Sequence, residues 1–221
     1  MTYPIAESFV SINGEGTKAG QPAVFIRFTG CNLRCSYCDT RWANEENASH
    51  TQMTAEEIYA YIKSTGIKNV TITGGEPLIQ NGITELLCIL ADDRELYIEI
   101  ETNGSADLSP FADMKNRPSF TMDYKLPSSG MEKHMLTGNF RFLDTRDTVK
   151  FVSGSITDLE RAKEVIYEFS LDHRTNVYIS PVFGKIKPSE IVEFMLKNKM
   201  NGVNMQLQIH KFIWPPDMRG V

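Results

Sequence analysis

Gly30-Cys31-Asn32-Leu33-Arg34-Cys35-Ser36-Tyr37-Cys38 decides how the rest of this 221-residue chain is read. It gathers three of the chain's four cysteines into eight residues. A four-iron cluster is normally held by four thiolates, so three would leave one iron open to a small molecule. The gaps also fall within zinc-site spacing, with His50 placed to close such a site. A disulfide with a spare thiol is disfavoured by the odd number of clustered cysteines. The N-terminal stretch Met1–Glu7, which lacks the charged and apolar regions of a secretory signal, argues the same way. Cys88 lies in Leu86-Leu87-Cys88-Ile89-Leu90 and reads as a core residue, not a ligand.

Outward from the cysteines the chain alternates. β-Branched and aromatic runs at Ala23–Phe28, Val70–Thr73, Leu96–Glu101, Phe120–Tyr124, Thr148–Val152, Val177–Ser180 and Val203–Gln208 predict strands. Several are apolar enough to be covered on both faces. Helices are predicted after the capping box Thr54-Ala55-Glu56-Glu57, over Ile83–Leu90, over Ile156–Phe169 and over Pro188–Lys199. Strand–helix alternation implies parallel strands with right-handed crossovers. The count is too small for a closed eight-fold barrel. The expectation is an α/β fold: an open partial (β/α) barrel of about six parallel strands, one domain over residues 1–221. Its chemistry should gather at the carboxyl ends of the strands. Ser128-Ser129-Gly130 and Asn44–Ser49 read as flexible loops.

Composition excludes several function classes. The chain is 41% hydrophobic and 23% charged, with a net charge of -5. That balance supports a large core and argues against a protein built to grip a phosphate backbone. No apolar run has the length of a membrane span. A cytoplasmic protein acting on a small molecule is expected.

The remaining motifs fall at strand ends. The cysteine loop leaves the end of Ala23–Phe28, where Gly30 permits the turn. Thr73-Gly74-Gly75-Glu76-Pro77 offers free backbone groups and a carboxylate for an amine, or is a plain turn. Glu101, with Thr102-Asn103-Gly104 after it, could accept from ribose hydroxyls or be a solvated edge residue. Lys125 and Ser153 end later strands. Ile12-Asn13-Gly14-Glu15-Gly16 can fold backbone and one carboxylate around a polar ligand. Arg27, among apolar neighbours, demands an anion: a substrate carboxylate or a structural salt bridge. Thr40 offers an oxygen suited to magnesium, or is a turn cap. Gln208 and His210 are predicted on one face of the last strand.

Together these segments resemble the radical S-adenosylmethionine superfamily, through the three-cysteine motif with Tyr37 before its last member and through Gly74-Gly75-Glu76-Pro77. Within it, Phe9–Gly16, Gly20-Gln21-Pro22, Phe25-Ile26-Arg27, Cys38-Asp39-Thr40, Glu101–Gly104 and His210–Trp214 are similar to the 7-carboxy-7-deazaguanine synthase family, over nearly the whole length. The resemblance implies a [4Fe-4S] cluster on Cys31, Cys35 and Cys38, S-adenosylmethionine on its open iron, and Mg2+ at Thr40. It implies that a 5′-deoxyadenosyl radical initiates ring contraction of 6-carboxy-5,6,7,8-tetrahydropterin to 7-carboxy-7-deazaguanine, a precursor of queuosine in tRNA, with loss of ammonia. It assigns Tyr37, Gly74, Gly75, Glu76, Glu101, Asn103, Lys125, Ser153 and Gln208 to the cofactor. Ile12, Asn13, Gly14, Glu15, Arg27, Thr73 and His210 go to the pterin. A homodimer reduced by a flavodoxin-like donor, with no direct contact to nucleic acid, is implied too. The alternatives are an activase that places a glycyl radical on a partner, a zinc-stabilised binding module and a simple electron carrier.

Overall fold

The strands are β1 (Thr2–Ile12), β2 (Pro22–Phe28), β3 (Thr51–Thr54), β4 (Asn69–Gly74), β5 (Tyr97–Thr102), β6 (Ser119–Tyr124), β7 (Thr148–Ser153), β8 (Asn176–Pro181) and β9 (Val203–Met205). The helices are α1 (Ala55–Thr65), α2 (Ile83–Asp92), α3 (Ser109–Ala112), α4 (Ile156–Glu168), α5 (Pro188–Lys197) and α6 (His210–Ile213). The structure, a computed structural model, describes residues 1–221. All nine strands join one sheet in the order β3-β1-β2-β4-β5-β6-β7-β8-β9. From β2 to β9 every pair is parallel, while β1 and β3 add an antiparallel edge.

Local chemistry explains the elements. Thr54 Oγ1 accepts from the Glu57 amide at 3.2 Å and Glu57 Oε2 accepts from the Thr54 amide at 2.7 Å, so α1 starts on a complete capping box. Gly66, at φ +69°, ends it in the left-handed conformation that favours glycine. The parallel strands alternate. Val70, Ile72, Ile98, Ile100, Phe120, Val149 and Phe151 point into the apolar core against the helices. Their neighbours Thr73, Glu101, Thr121, Asp123 and Lys150 line the concave face. The sheet is therefore apolar on one face and polar on the other, not covered by apolar groups on both as the runs suggested.

Other expectations also need correction. The N-terminal strand β1 was not anticipated. Pro4, Glu7 and Ser8 interrupt its apolar pattern, and a bulge between Ile5 and Glu7 switches the face it buries. Tyr3 and Ile5 enter the core, whereas Glu7 and Phe9 face the cavity opposite Arg27 and Phe25. The last strand stops at Met205, so Gln208 lies in an irregular segment and His210 opens α6. Cys88 is exposed on the outer side of α2, because the helix turns its neighbours Leu86, Leu87 and Leu90 inward instead. Ser128-Ser129-Gly130 is a packed turn in which Ser129 is buried. Between β6 and β7 the crossover is made of three 3-10 turns, Pro127–Ser129, Glu132–His134 and Thr137–Phe142, with no long helix.

Candidate active site

A cavity of about 560 Å³ opens at the carboxyl ends of the parallel strands, a volume typical of small-molecule sites. Cys31, Cys35 and Cys38 all line it. Gly30, at φ +83°, turns the chain out of β2 to bring them there. The loop is then held from two sides. Ser36 donates its amide to the Ser129 carbonyl at 3.0 Å and its hydroxyl to the Ser128 carbonyl at 2.6 Å. The turn beneath is fixed by the fully buried Asp158, which accepts from the amides of Ser128 at 2.9 Å and Gly154 at 2.7 Å.

On the other side the loop rests on the end of β4. A Cβ on Gly75 would sit 1.9 Å from the Gly30 carbonyl oxygen, and one on Gly74 would sit 2.4 Å from that of Phe28. Both glycines border the cavity. Their first service is to let two backbones pack, joined by hydrogen bonds from Gly75 N to Phe28 O and from Glu76 N to Gly30 O. Glu76 itself lies beneath the cavity wall. It is fully buried, and its carboxylate accepts from Leu78 N, Thr102 Oγ1 and, at 2.7 Å, Asn103 N. Burial pushes its carboxyl up to about 7, although all three donors pull the other way. As it stands, Glu76 orients Asn103, whose Nδ2 reaches Cys31 Sγ at 3.6 Å.

The donor set separates cluster from zinc. No three His, Cys, Asp or Glu side chains converge tightly enough for one ion. Three thiolates that share a cavity without meeting at a point suit a cluster, in which each binds a different iron. His50 is exposed, bonds the Ala48 carbonyl through Nδ1 at 2.9 Å, and borders a second groove that shares Cys31 with the cavity but is not lined by Cys35 or Cys38. Cys88 is on another surface. One corner of a cluster seated here would carry no protein thiolate.

Opposite the cysteines, the loop after β1 and the segment after β9 meet. Gly16 N donates to Gln206 Oε1 at 2.7 Å, Gln206 Nε2 returns a bond to Gly16 O at 3.0 Å, and Ile209 N bonds Gly14 O. This clasp closes the open side of the barrel and explains how Gln208 and His210 reach the cavity without a strand. Glu15 is paired with Lys150 at 2.8 Å. Burial opposes its ionisation, but Lys150, helped by Gln208 and His210, outweighs that and holds the carboxyl below its usual range. Arg27 borders the cavity and also pairs with Glu7 at 2.8 Å, so the structural ion pair and the cavity position coexist. Burial holds His210 below the usual imidazole range.

Thr40, Thr73, Glu101, Asn103, Tyr37, Lys125, Ile12 and Gly14 border the cavity as expected. Thr40 Oγ1 lies 3.6 Å from Cys38 Sγ, and Thr73 Oγ1 donates to Glu101 Oε2 at 2.7 Å. Asn13 and Ser153 are buried outside the lining. Asn13 accepts from Thr71 Oγ1, and Ser153 Oγ has no partner. Sequence reasoning passed over Lys150, Phe9, Phe25, Trp42 and residues 216–221, all of which line the cavity. Only Phe9 and Phe25 left a signal there, as aromatics two residues from Ser11 and Arg27.

Comparison with known proteins agrees with this geometry. A model of the Radical SAM superfamily matches residues 25–132. The 7-carboxy-7-deazaguanine synthase of Clostridium acetobutylicum is 60% identical over 221 residues, all of both chains. That of Chlorobaculum tepidum is 38% identical over 98% of this chain and 96% of its own. The crystal structure of QueE from Escherichia coli superposes with a TM-score of 0.73 over 94% of each chain, at 24% identity, which supports the fold.

Proposed function

Because the chain belongs to the 7-carboxy-7-deazaguanine synthase family of radical S-adenosylmethionine enzymes, we propose that its cavity performs that family's ring contraction of 6-carboxy-5,6,7,8-tetrahydropterin. The single observation that carries the reading is three cysteines on one cavity wall, with the fourth cysteine of the chain, Cys88, exposed on α2 and outside that wall. A cluster held there would pass one electron from a reductant to bound S-adenosylmethionine, whose cleavage to methionine would give the 5′-deoxyadenosyl radical that starts the reaction.

The chain's own residues bind, orient and exclude water. Cys31, Cys35 and Cys38 would hold three irons, and the side-chain amide of Asn103 donates toward the Cys31 sulfur. Gly74, Gly75, Glu101, Tyr37, Lys125 and Gln208 surround the place for S-adenosylmethionine. Thr40 offers its hydroxyl to Mg2+, a hard ion that retains waters and substrate oxygens. Arg27 faces the substrate carboxylate and Glu15 the N–H donors of the pterin ring. A guanidinium suits the former because it presents parallel donors to two oxygens. His210, whose imidazole burial holds below its usual range, packs over Gly14 and closes that end. Glu76, Asn13 and Ser153 act from behind the wall. A homodimer and a flavodoxin-like reductant complete the reading, and no part of it requires nucleic acid. No helix is long and apolar enough to cross a membrane.

The test is direct. Iron-loaded protein, incubated under anoxia with the tetrahydropterin, S-adenosylmethionine, Mg2+ and a strong reductant, should form 7-carboxy-7-deazaguanine and ammonia. Absence of the deazaguanine in a fully loaded sample would overturn the assignment.

A further inference from the structure

Lys150 is the least expected residue of the cavity. It stands in the middle of β7, where every residue is buried, between Val149 and Phe151 of the core. Its side chain is 9% exposed. A lysine is almost never buried unless paired. Its Nζ lies 2.8 Å from Glu15 Oε2 and 3.8 Å from Asp123 Oδ2. Asp123 in turn pairs with Lys125 at 2.8 Å. Charges thus alternate along a line, Glu15, Lys150, Asp123, Lys125, from the loop after β1 to the end of β6.

The Glu15 carboxylate is used unevenly. Oε2 receives both Lys150 and, at 3.4 Å, Gln208 Nε2. Oε1 is buried and has no partner. A buried carboxylate oxygen without a donor is costly, and it retains lone pairs for two donors. The clasp holds the backbone at Gly14 and Gly16, but these two residues contribute no side chain to orient the Glu15 carboxylate.

We propose that Lys150 is the positioning residue for substrate recognition: it fixes Glu15 by one oxygen and leaves the other free to accept the N–H donors of the pterin's pyrimidine edge. The assignment rests on the ring-contraction reading above. Without the ammonium, Glu15 would lose both its anchor and the charge that keeps it ionised, and the loop would no longer present an acceptor. Lys150 makes no hydrogen bond to the cysteines; its ammonium bonds Glu15 and approaches Asp123.

Equilibrium dialysis under anoxia tests this, using iron-loaded protein with S-adenosylmethionine and the tetrahydropterin but no reductant, so that nothing turns over. Lys150→Met should weaken pterin binding ten- to a hundred-fold. S-adenosylmethionine affinity should stay within about twofold of wild type, and iron content should be unchanged. In turnover the loss should fall on KM, with kcat within about threefold. Glu15→Gln should weaken pterin binding to a similar extent. The double variant should bind no more weakly than the weaker single one, since Lys150 acts through Glu15. Wild-type pterin affinity in Lys150→Met would overturn the proposal, as would multiplied losses in the double variant, or equal losses of pterin, S-adenosylmethionine and iron. If Lys150→Met does not fold, Lys150→Gln carries the same comparison. Failure of the wild type itself to bind the pterin would instead overturn the ring-contraction reading.

Discussion

A Cβ on Gly14 would lie 2.3 Å from Nδ1 of His210, so the loop after β1 and the start of α6 share a space that only a glycine leaves open. The contact joins residues from the two ends of the chain at the edge of the cavity. Gly14→Ala should push the imidazole aside and raise KM for the pterin at least tenfold. Gly138→Ala, where nothing lies within 4 Å of the added carbon, should leave KM unchanged. Steady-state kinetics on the two variants separates the cases, and equal KM values would refute the contact.

Gly75 predicts a different failure. Its Cβ would meet the Gly30 carbonyl oxygen at 1.9 Å, which no side-chain movement can relieve. Gly75→Ala should therefore lift the cysteine loop and reduce iron bound per chain after reconstitution, visible as lost absorbance near 400 nm. Normal iron content with poor activity would point to ligand approach instead of loop seating.

Asp158 supports the same loop from below. Replacing it with alanine leaves the part-buried amides of Ser128 and Gly154 without their charged acceptor. Asp158→Ala should cost about 2–4 kcal/mol of stability and also slow iron uptake, because the Ser36 contacts stand on that turn. Urea denaturation of the iron-free protein measures the first effect. A cost below about 1 kcal/mol would contradict the geometry.

Glu99 governs a pH dependence. Burial, with Glu101 nearby, pushes its carboxyl up to about 7, while Thr121 donates to it. The folded state therefore favours the neutral acid. Below pH 4.5 both folded and unfolded chains are protonated and no penalty exists. Between 4.5 and 7 the unfolded chain ionises first and stability falls, and above 7 the penalty is complete, at most about 3 kcal/mol. Glu99→Gln should raise the urea midpoint at pH 8 and leave it nearly unchanged at pH 4.5. The same shift at both values would rule out titration as the cause.

Cys88 should be dispensable. It is exposed and remote from the cavity, so Cys88→Ser should alter stability by less than about 0.5 kcal/mol and preserve full iron content. Cys35→Ala should abolish the cluster. A fall in iron for the serine variant, measured under anoxia, would mean that a fourth thiol matters.

The parallel strands were legible because β2 and β4 to β8 each carry three or more β-branched or aromatic residues, and the cysteine loop because its spacing admits few chemistries. β1 was not legible. Its proline and its bulge break the period on which strand detection relies, and its register depends on Phe9 stacking on Phe25 across the ladder. Glu76 was read as a ligand-facing carboxylate because its glycines promise open backbone. Only the three-dimensional contact with Asn103 shows the carboxylate turned inward. Lys150 left no trace, since a lysine within Thr148-Val149-Lys150-Phe151-Val152 reads as the solvent side of a strand until Glu15, 135 residues away, is brought against it. His210 lines the cavity, but a clasp between Gln206 and Gly16, not the expected strand, carries it there.

The Gln206–Gly16 clasp spans 190 residues of chain, whereas Gly75, the Ser128–Ser129 turn and Asp158, which hold the cysteine loop, have all been synthesised once Asp158 emerges, and only the Lys211–Asp39 pair joins that loop from the end of the chain. During translation, at about 5–20 residues per second, most of the iron seat can be assembled seconds before the pterin corner exists. A nascent chain can thus acquire metal before it is able to recognise anything to react with.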